Sequence, residues 1–295
     1  MGRFSALTKS RIAMGALVLA AAASASAQGT QDANEPRPIP AADTLFIDEM
    51  TFMEVRDAIR AGKTTVIVGT GGVEQNGPYT ATGKHNFVLR ATTDAIARKL
   101  GTALVAPIVA FVPEGDHAPA TGHMQYAGTI SLTEDTFRAL LRDICSSLKV
   151  HGFKDIVLLG DSGGNQKGMQ AVAAELSAKW PASDARVHFI TEYYTQDMWS
   201  FEYLKKIGIF QKPDVQSAAR AGLHDDYHYE ALVALVDPKH IRAEQRIKAG
   251  KFSINGVEMG SIRTVLENGR RLADYRASIT VAAIQKAIAT RTAVK

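Results

Sequence analysis

Residues 64–78 read TTVIVGTGGVEQNGP, an apolar strand-like run followed by a polar, glycine-rich loop. Residues 155–165 repeat that arrangement as DIVLLGDSGGN, and a helical pattern follows them. In α/β sheets, ligands bind in the crevice beyond the carboxyl ends of the strands. The two loops therefore predict one shared active site at one edge of a sheet.

Strand-like runs alternate with helical patterns along most of the chain. We predict strands near 64–69, 103–111, 155–160 and 186–193. We predict helices near 52–61, 87–100, 134–150, 166–179, 228–236 and 268–291. The first helix has a capping-box pattern, in which Thr51 and Glu54 satisfy each other's backbone amides. This alternation favours an α/β fold with a layered, mostly parallel sheet flanked by helices.

The N-terminal residues have the pattern of a targeting segment. Three basic residues accompany the apolar stretch 12–23, and a small-residue Ala-Ser-Ala pattern ends at Ala27. This order predicts a signal peptide, 1–27, cut between Ala27 and Gln28, and a periplasmic or secreted protein. The alternative is an uncleaved anchor. Residues 28–44 are polar and contain prolines, so we predict a flexible tether before a single domain, 45–295.

Charge and composition exclude several classes of partner. The chain has a formal charge of +4, and the predicted signal peptide holds three cations and no acids, which leaves +1. No basic run remains that would favour nucleic acid. No later segment is apolar enough for an integral membrane span. Cys145 is the only cysteine, so an intrachain disulfide is excluded, and its apolar helical surroundings indicate a core residue.

The second loop also matches the serine-hydrolase pattern GxSxG at Gly160, Ser162 and Gly164. In α/β-hydrolases that serine lies on a tight turn between a strand and a helix, and an acid and then a histidine follow later. His228 is one candidate for the histidine. Alternatively, Ser162 caps the helix and the glycines form an ordinary turn.

Several segments together resemble the creatininase (creatinine amidohydrolase) family. They lie in the same order and at similar spacing, and they are 69–78, 128–132, 151–153, 156–159 and 163–165. The resemblance implies a layered α/β fold, metal-dependent hydrolysis of cyclic or linear amides, and frequent homo-oligomers. The chain is a divergent member by this comparison, because several positions that bind metal in the family carry other residues.

The resemblance also implies a metal site. Glu74 matches the first glutamate of the family pattern, His85 stands where an aspartate is usual, and Glu230 plausibly matches a late glutamate. Glu74, His85 and one of Glu230, His228 or Asp161 would give three N and O ligands to one divalent ion and leave a position open for water. That set suits Zn²⁺ best, with Mn²⁺ or Fe²⁺ as alternatives.

Other positions differ from the family pattern but keep polar side chains. Asn76 and Ser162 each replace a histidine, and Asp161 replaces a glycine. The candidates for proton transfer or nucleophilic attack are His123, His228, Ser162 and Asp161. The candidates for substrate contacts are Asn76 and Asn165.

These features predict an exported hydrolase that acts on a small cyclic or linear amide. Two alternatives remain open. One is a serine hydrolase that uses Ser162. The other is a periplasmic binding protein on the same fold, without catalysis, which the substituted ligands would favour.

Overall fold

The computed structural model describes residues 32–195, 197–211 and 226–292. The predicted signal peptide, 1–27, and its cleavage site lie outside the described residues, so the export of the chain stays a prediction. Within the described ranges, no helix is both long enough and apolar enough to cross a membrane.

A four-stranded sheet with the strand order β2-β1-β3-β4 lies at the centre of the fold. Its strands are β1 (Thr65–Thr70), β2 (Ala103–Val105), β3 (Asp155–Gly160) and β4 (Arg186–Phe189). All three pairings are parallel. The sheet therefore confirms the prediction of a mostly parallel, layered α/β fold.

Helices follow or precede each strand. They are α1 (Phe52–Arg60), α2 (Lys84–Leu100), α3 (Glu134–Val150), α4 (Gln166–Lys179), α5 (Glu192–Thr195), α6 (Asp197–Lys206), α7 (Tyr227–Val236), α8 (Ala243–Lys248) and α9 (Ile262–Thr292). A two-stranded hairpin pairs β5 (Ser253–Ile254) with β6 (Val257–Glu258). The predicted capping box of Thr51 and Glu54 is present at the start of α1.

Both faces of the sheet are covered, as expected for parallel strands. Successive side chains of a strand point to opposite faces. Val66 and Val68 accordingly belong to the apolar cluster that includes residues of α3 and α4. Ile67, between them, belongs to the cluster that includes residues of α2 and α9. The strand is therefore apolar on both sides and lies between two helical layers.

Two elements differ from the sequence predictions in ways that shape the site. β2 ends at Val105 instead of continuing to 111, because Pro107 has no backbone N–H to donate to a neighbouring strand. α2 begins at Lys84, three residues earlier than predicted. The early start places Lys84 and His85 in the first helical turn, where their side chains face the loop after β1.

The part of the predicted tether nearest the domain contacts α1. The Arg37 side chain donates to Asp57 at 2.7 Å. The Ala42 backbone amide donates to the Glu54 carboxylate at 2.6 Å. Glu54 thus accepts bonds from its own N-cap and from the segment before it.

Candidate active site

The loops that follow β1 and β3 meet at the carboxyl edge of the sheet, as the sequence predicted. Asn165 joins them, because its side-chain amide donates to the carbonyl oxygens of Thr70 at 2.8 Å and Gly71 at 2.9 Å. Asn165 is fully buried. Its predicted contact with substrate stays a prediction, while the structure uses its amide group to connect the two loops.

His85 links one acidic residue from each loop. Its Nδ1 lies 2.7 Å from Asp161 Oδ2, and its Nε2 lies 2.8 Å from Glu74 Oε1. The surroundings lower the pKa of both carboxyl groups, so both are ionised and can only accept hydrogen bonds. Each ring nitrogen of His85 therefore lies within hydrogen-bond distance of a carboxylate.

The Lys84 ammonium also lies against this glutamate. Its Nζ lies 3.1 Å from Glu74 Oε1 and 2.9 Å from Asn76 Oδ1. The ammonium also lies 4.5 Å from the centre of the Tyr229 ring, in a cation–π arrangement. Lys84 is fully buried, and Asn76 is only 1% exposed. The predicted substrate contact of Asn76 thus stays a prediction, and its amide oxygen binds Lys84.

Asp161 is held on its other side by Arg276. Arg276 Nη1 lies 2.9 Å from Asp161 Oδ1, and both side chains are at most 5% exposed. Burial alone would raise the pKa of Asp161, but the charges of Arg276 and His85 lower it further than burial raises it. Asp161 is therefore a buried carboxylate that orients His85, and its predicted catalytic role stays a prediction.

A third loop at the same edge, 113–123, brings two more ligand-type side chains. His123 Nε2 lies 2.9 Å from Glu74 Oε2. The ligand atoms of Glu74, Glu114 and His123 all lie within 4.8 Å of one another. Sequence analysis missed Glu114. The available signal was its place in the loop after the β2 segment, which ends at the same edge of a parallel sheet as the other two loops.

Two glycines make room for this third loop. A Cβ atom on Gly72 would lie 2.0 Å from Glu114 Oε1, and the φ of +151° at Gly72 is also unfavourable for other residues. A Cβ atom on Gly164 would lie 2.2 Å from the carbonyl oxygen of Pro113. The glycines of the first two loops therefore allow Glu114 to approach the cluster.

Glu74 and Glu114 have opposite protonation states. Burial raises the pKa of Glu74, but the Lys84 ammonium and the bonds from His123 and His85 lower it well below its ordinary value. Burial and the adjacent Glu74 charge raise the pKa of Glu114 to about 9. Two neighbouring carboxyl groups therefore share one negative charge at neutral pH, as expected for buried groups of like charge.

The predicted metal ligands do not converge on one point. Both ring nitrogens of His85 face carboxylates, which leaves no ring nitrogen to bind an ion in this arrangement. Glu230 forms a buried ion pair with Arg246 at 2.6 Å. Only Glu74 lies among the three clustered ligand groups, and the geometry favours Glu114 and His123 as its companions.

The remaining catalytic candidates have different surroundings. His228 is buried and lies against the ring of Tyr229, with 4.2 Å between ring centres. Ser162 hydrogen-bonds the Glu114 side chain. Its backbone is ordinarily extended, with φ −119° and ψ 151°, unlike the strained turn of a nucleophile elbow. The catalytic roles of both residues stay predictions.

Comparison with protein families and curated relatives gives one consistent result. The family model described as creatininase, creatinine amidohydrolase, matches residues 48–277. A creatinine amidohydrolase from Pseudomonas putida is 26% identical over 116 residues, which are 39% of this chain and 44% of that protein. A 3-dehydro-scyllo-inosose hydrolase from Thermotoga maritima is 22% identical over 215 residues, covering 70% of this chain and 66% of that protein. The chain thus spans less than two thirds of each curated relative.

Solved structures share the fold. A crystal structure of creatinine amidohydrolase superposes with a TM-score of 0.55 at 19% identity, covering 84% of this chain and 98% of that one. A structure described as creatininase Mn superposes with a TM-score of 0.55 at 19% identity, covering 83% of this chain and 97% of that one. The family model covers most of the chain, and the sheet and helices agree with these structures. The chain therefore belongs to the creatininase family.

Proposed function

We propose that this chain is a metal-dependent hydrolase that cleaves the C–N bond of a small cyclic or linear amide. The observation that carries the proposal is the convergence of Glu74, Glu114 and His123 at the carboxyl edge of the sheet. The similarity to a creatinine amidohydrolase and to a 3-dehydro-scyllo-inosose hydrolase supports hydrolysis of a small molecule.

The residues of the cluster fit a divalent cation. Two carboxyl groups and one imidazole form the N and O donor set that catalytic Zn²⁺ takes, and Mn²⁺ accepts similar ligands. Glu114 Oε1 is buried and, among the described residues, has no hydrogen-bond partner. A cation held by Glu114 and Glu74 would bind that oxygen. Its positive charge would offset the repulsion between the two carboxylates that keeps Glu114 protonated. Bound there, the ion would polarise a substrate carbonyl and activate water.

Gln75 supports His123 as a ligand. The nitrogen of the Gln75 side-chain amide lies 3.2 Å from His123 Nδ1. A half-turn of the amide would instead present the oxygen to an Nδ1–H group, and the two orientations are nearly equivalent in shape. A histidine that binds metal through Nε2 typically donates from Nδ1 to such an oxygen. Gln75 is thus placed to fix the ring of His123 in its metal-binding tautomer.

The other residues hold these ligands and define the approach of substrate. Lys84 and His85 fix the Glu74 carboxylate, and Ser162 hydrogen-bonds Glu114. The His123 side chain is 23% exposed, whereas that of Glu74 is 1% exposed. Substrate therefore reaches the cluster from the side of His123, and the buried side serves to orient the ligands.

The test combines metal content with hydrolysis. Mature protein purified without a chelator or a histidine tag is assayed by inductively coupled plasma mass spectrometry and against a panel of lactams and linear amides. We expect Glu74→Gln and Glu114→Gln to lose both the ion and the activity. Glu258→Gln, at an exposed position, is the matched control and should keep both.

Two results would redirect the proposal. Activity that resists chelators and is lost on fluorophosphonate labelling of Ser162 would favour the serine hydrolase. A metal-free protein that binds a small molecule without turning it over would favour the binding protein. Full activity of Glu114→Gln would contradict the metal site as we assign it.

We also propose that the mature protein is exported and forms homo-oligomers. The basic and apolar N-terminal pattern supports export, and the family resemblance supports oligomers. N-terminal sequencing of protein recovered from the periplasm, together with light scattering, would test both. Protein retained in the cytoplasm with residues 1–27 intact would contradict export.

A further inference from the structure

The Lys84 ammonium lies against the Glu74 carboxylate and has no exposed surface. It contacts the oxygens of Glu74 and Asn76 and the face of the Tyr229 ring. These partners hold the charge in place from three directions. A buried cation with fixed partners cannot move aside when a second cation approaches the same oxygens.

The two oxygens of Glu74 face different surroundings. Oε1 lies 3.1 Å from Lys84 Nζ and 2.8 Å from His85 Nε2. A carboxylate oxygen has about two lone-pair sites, so these two donors occupy Oε1 fully. Oε2 lies 2.9 Å from His123 Nε2 and faces the side of Glu114. An ion that binds Glu74 without displacing Lys84 and His85 would therefore bind on the Oε2 side, beside His123 and Glu114.

We propose that Lys84 is a built-in cation that limits this site to one divalent ion, held on the Oε2 side of Glu74. The inference rests on the proposed function, since it takes Glu74, Glu114 and His123 as the metal ligands. On the Oε1 side, the Lys84 ammonium already holds the position between Glu74 and Asn76 that a second ion would take. The His85 ring also fills space there, because its Nε2 lies 2.8 Å from the same Oε1.

The position of the Lys84 ammonium also explains why an asparagine suits position 76. A neutral amide oxygen can accept from an ammonium and adds no charge. The ion pair of Lys84 with Glu74 therefore offsets the charge of this carboxylate without a metal. A divalent ion brought to that side would face an ammonium across a short distance in a buried environment, where repulsion is strong.

The experiment counts the ions that each protein binds. Native mass spectrometry of the mature protein is run with Zn²⁺ and, separately, with Mn²⁺ in excess. The variants are Lys84→Met, which keeps most of the length of the side chain and removes its charge, and Lys84→Arg, which keeps the charge. Lys248→Met, at an exposed position, controls for the loss of one lysine. Circular dichroism establishes that each variant is folded.

We expect one ion per chain in wild type, in Lys84→Arg and in Lys248→Met, and two in Lys84→Met. The wild-type count needs no variant, so it tests the inference even if Lys84→Met does not fold. Two ions in wild type would overturn the inference and leave the proposed function intact. One ion in folded Lys84→Met would also overturn it. No ion in wild type would overturn both the inference and the metal site itself.

Discussion

Replacing Arg276 by methionine should destabilise the protein strongly. Arg276 lies 2.9 Å from Asp161, its side chain is 5% exposed, and that of Asp161 is fully buried. Two of its nitrogens also donate to the Tyr193 carbonyl oxygen, at 3.1 Å and 3.3 Å. Methionine would fill much of the space but leave Asp161 with fewer positive neighbours, in a place that water does not reach.

The size of the effect follows from that burial. Removing one member of a buried ion pair typically costs about 3–5 kcal/mol, because the other charge stays buried without compensation. His85 still contacts Asp161 at 2.7 Å, so we expect the lower half of that range. For a domain of this size, each kcal/mol lowers the melting temperature by about 2–4 °C. The variant should therefore melt roughly 6–16 °C below wild type.

Urea unfolding followed by circular dichroism would measure the change in the free energy of unfolding. Arg263→Met is the matched control, because Arg263 is 88% exposed and pairs with Glu267 on the surface of α9. That exposed pair should contribute less than about 1 kcal/mol. If Arg276→Met stayed within about 1 kcal/mol of wild type, the buried ion pair would not have the importance assigned to it.

Three further predictions concern other parts of the site and the core. The folded-state pKa of Asp161 is lowered, so its stabilising contribution is present above the unfolded pKa and is lost as pH falls through the folded value. The difference in unfolding free energy between wild type and Asp161→Asn should thus shrink in acid, and urea titrations at a series of pH values would measure it. Gln75→Met should weaken metal binding about 10- to 100-fold by calorimetry, whereas Gln125→Met, at an exposed position, should leave it unchanged. Burial raises the pKa of Cys145 to about 12, so its thiol should react with a disulfide reagent only after unfolding, and rapid reaction of the native protein would contradict its place in the core.

The layered fold could be predicted because its strands and helices have strong, regular periodicity. The bounds of α3, β3 and α4 agree with the sequence predictions, since polar residues or glycines mark the ends of each element. The failure at β2 was of a different kind. Pro107 was visible in the sequence, but the apolar run around it suggested a longer strand than the backbone donors of that run can form.

The meeting of the site residues could be predicted most directly where they follow strands. Glu74 and Asp161 come soon after β1 and β3, so their meeting at one edge follows from parallel pairing. Glu114 lies in a loop without periodicity, and its approach depends on space left by glycines of other loops. Glu230 pairs with Arg246, 16 residues away, and this contact arises from the packing of two helices rather than from any local spacing.

The start of α2 has a consequence for how this protein can change by mutation. Gly83 offers no side chain to cap the helix, and the first turn has the Lys84 cation and no acidic residue where a helix favours negative charge. Glu74 pairs with Lys84 and also contacts His85, so the loop after β1 also secures the helix terminus. Loss of Glu74 should therefore fray the first turn of α2 as well as remove a ligand. Substitutions at Glu74, Lys84 and His85 should be strongly epistatic, and an evolutionary route to another set of ligands would have to change all three nearly together.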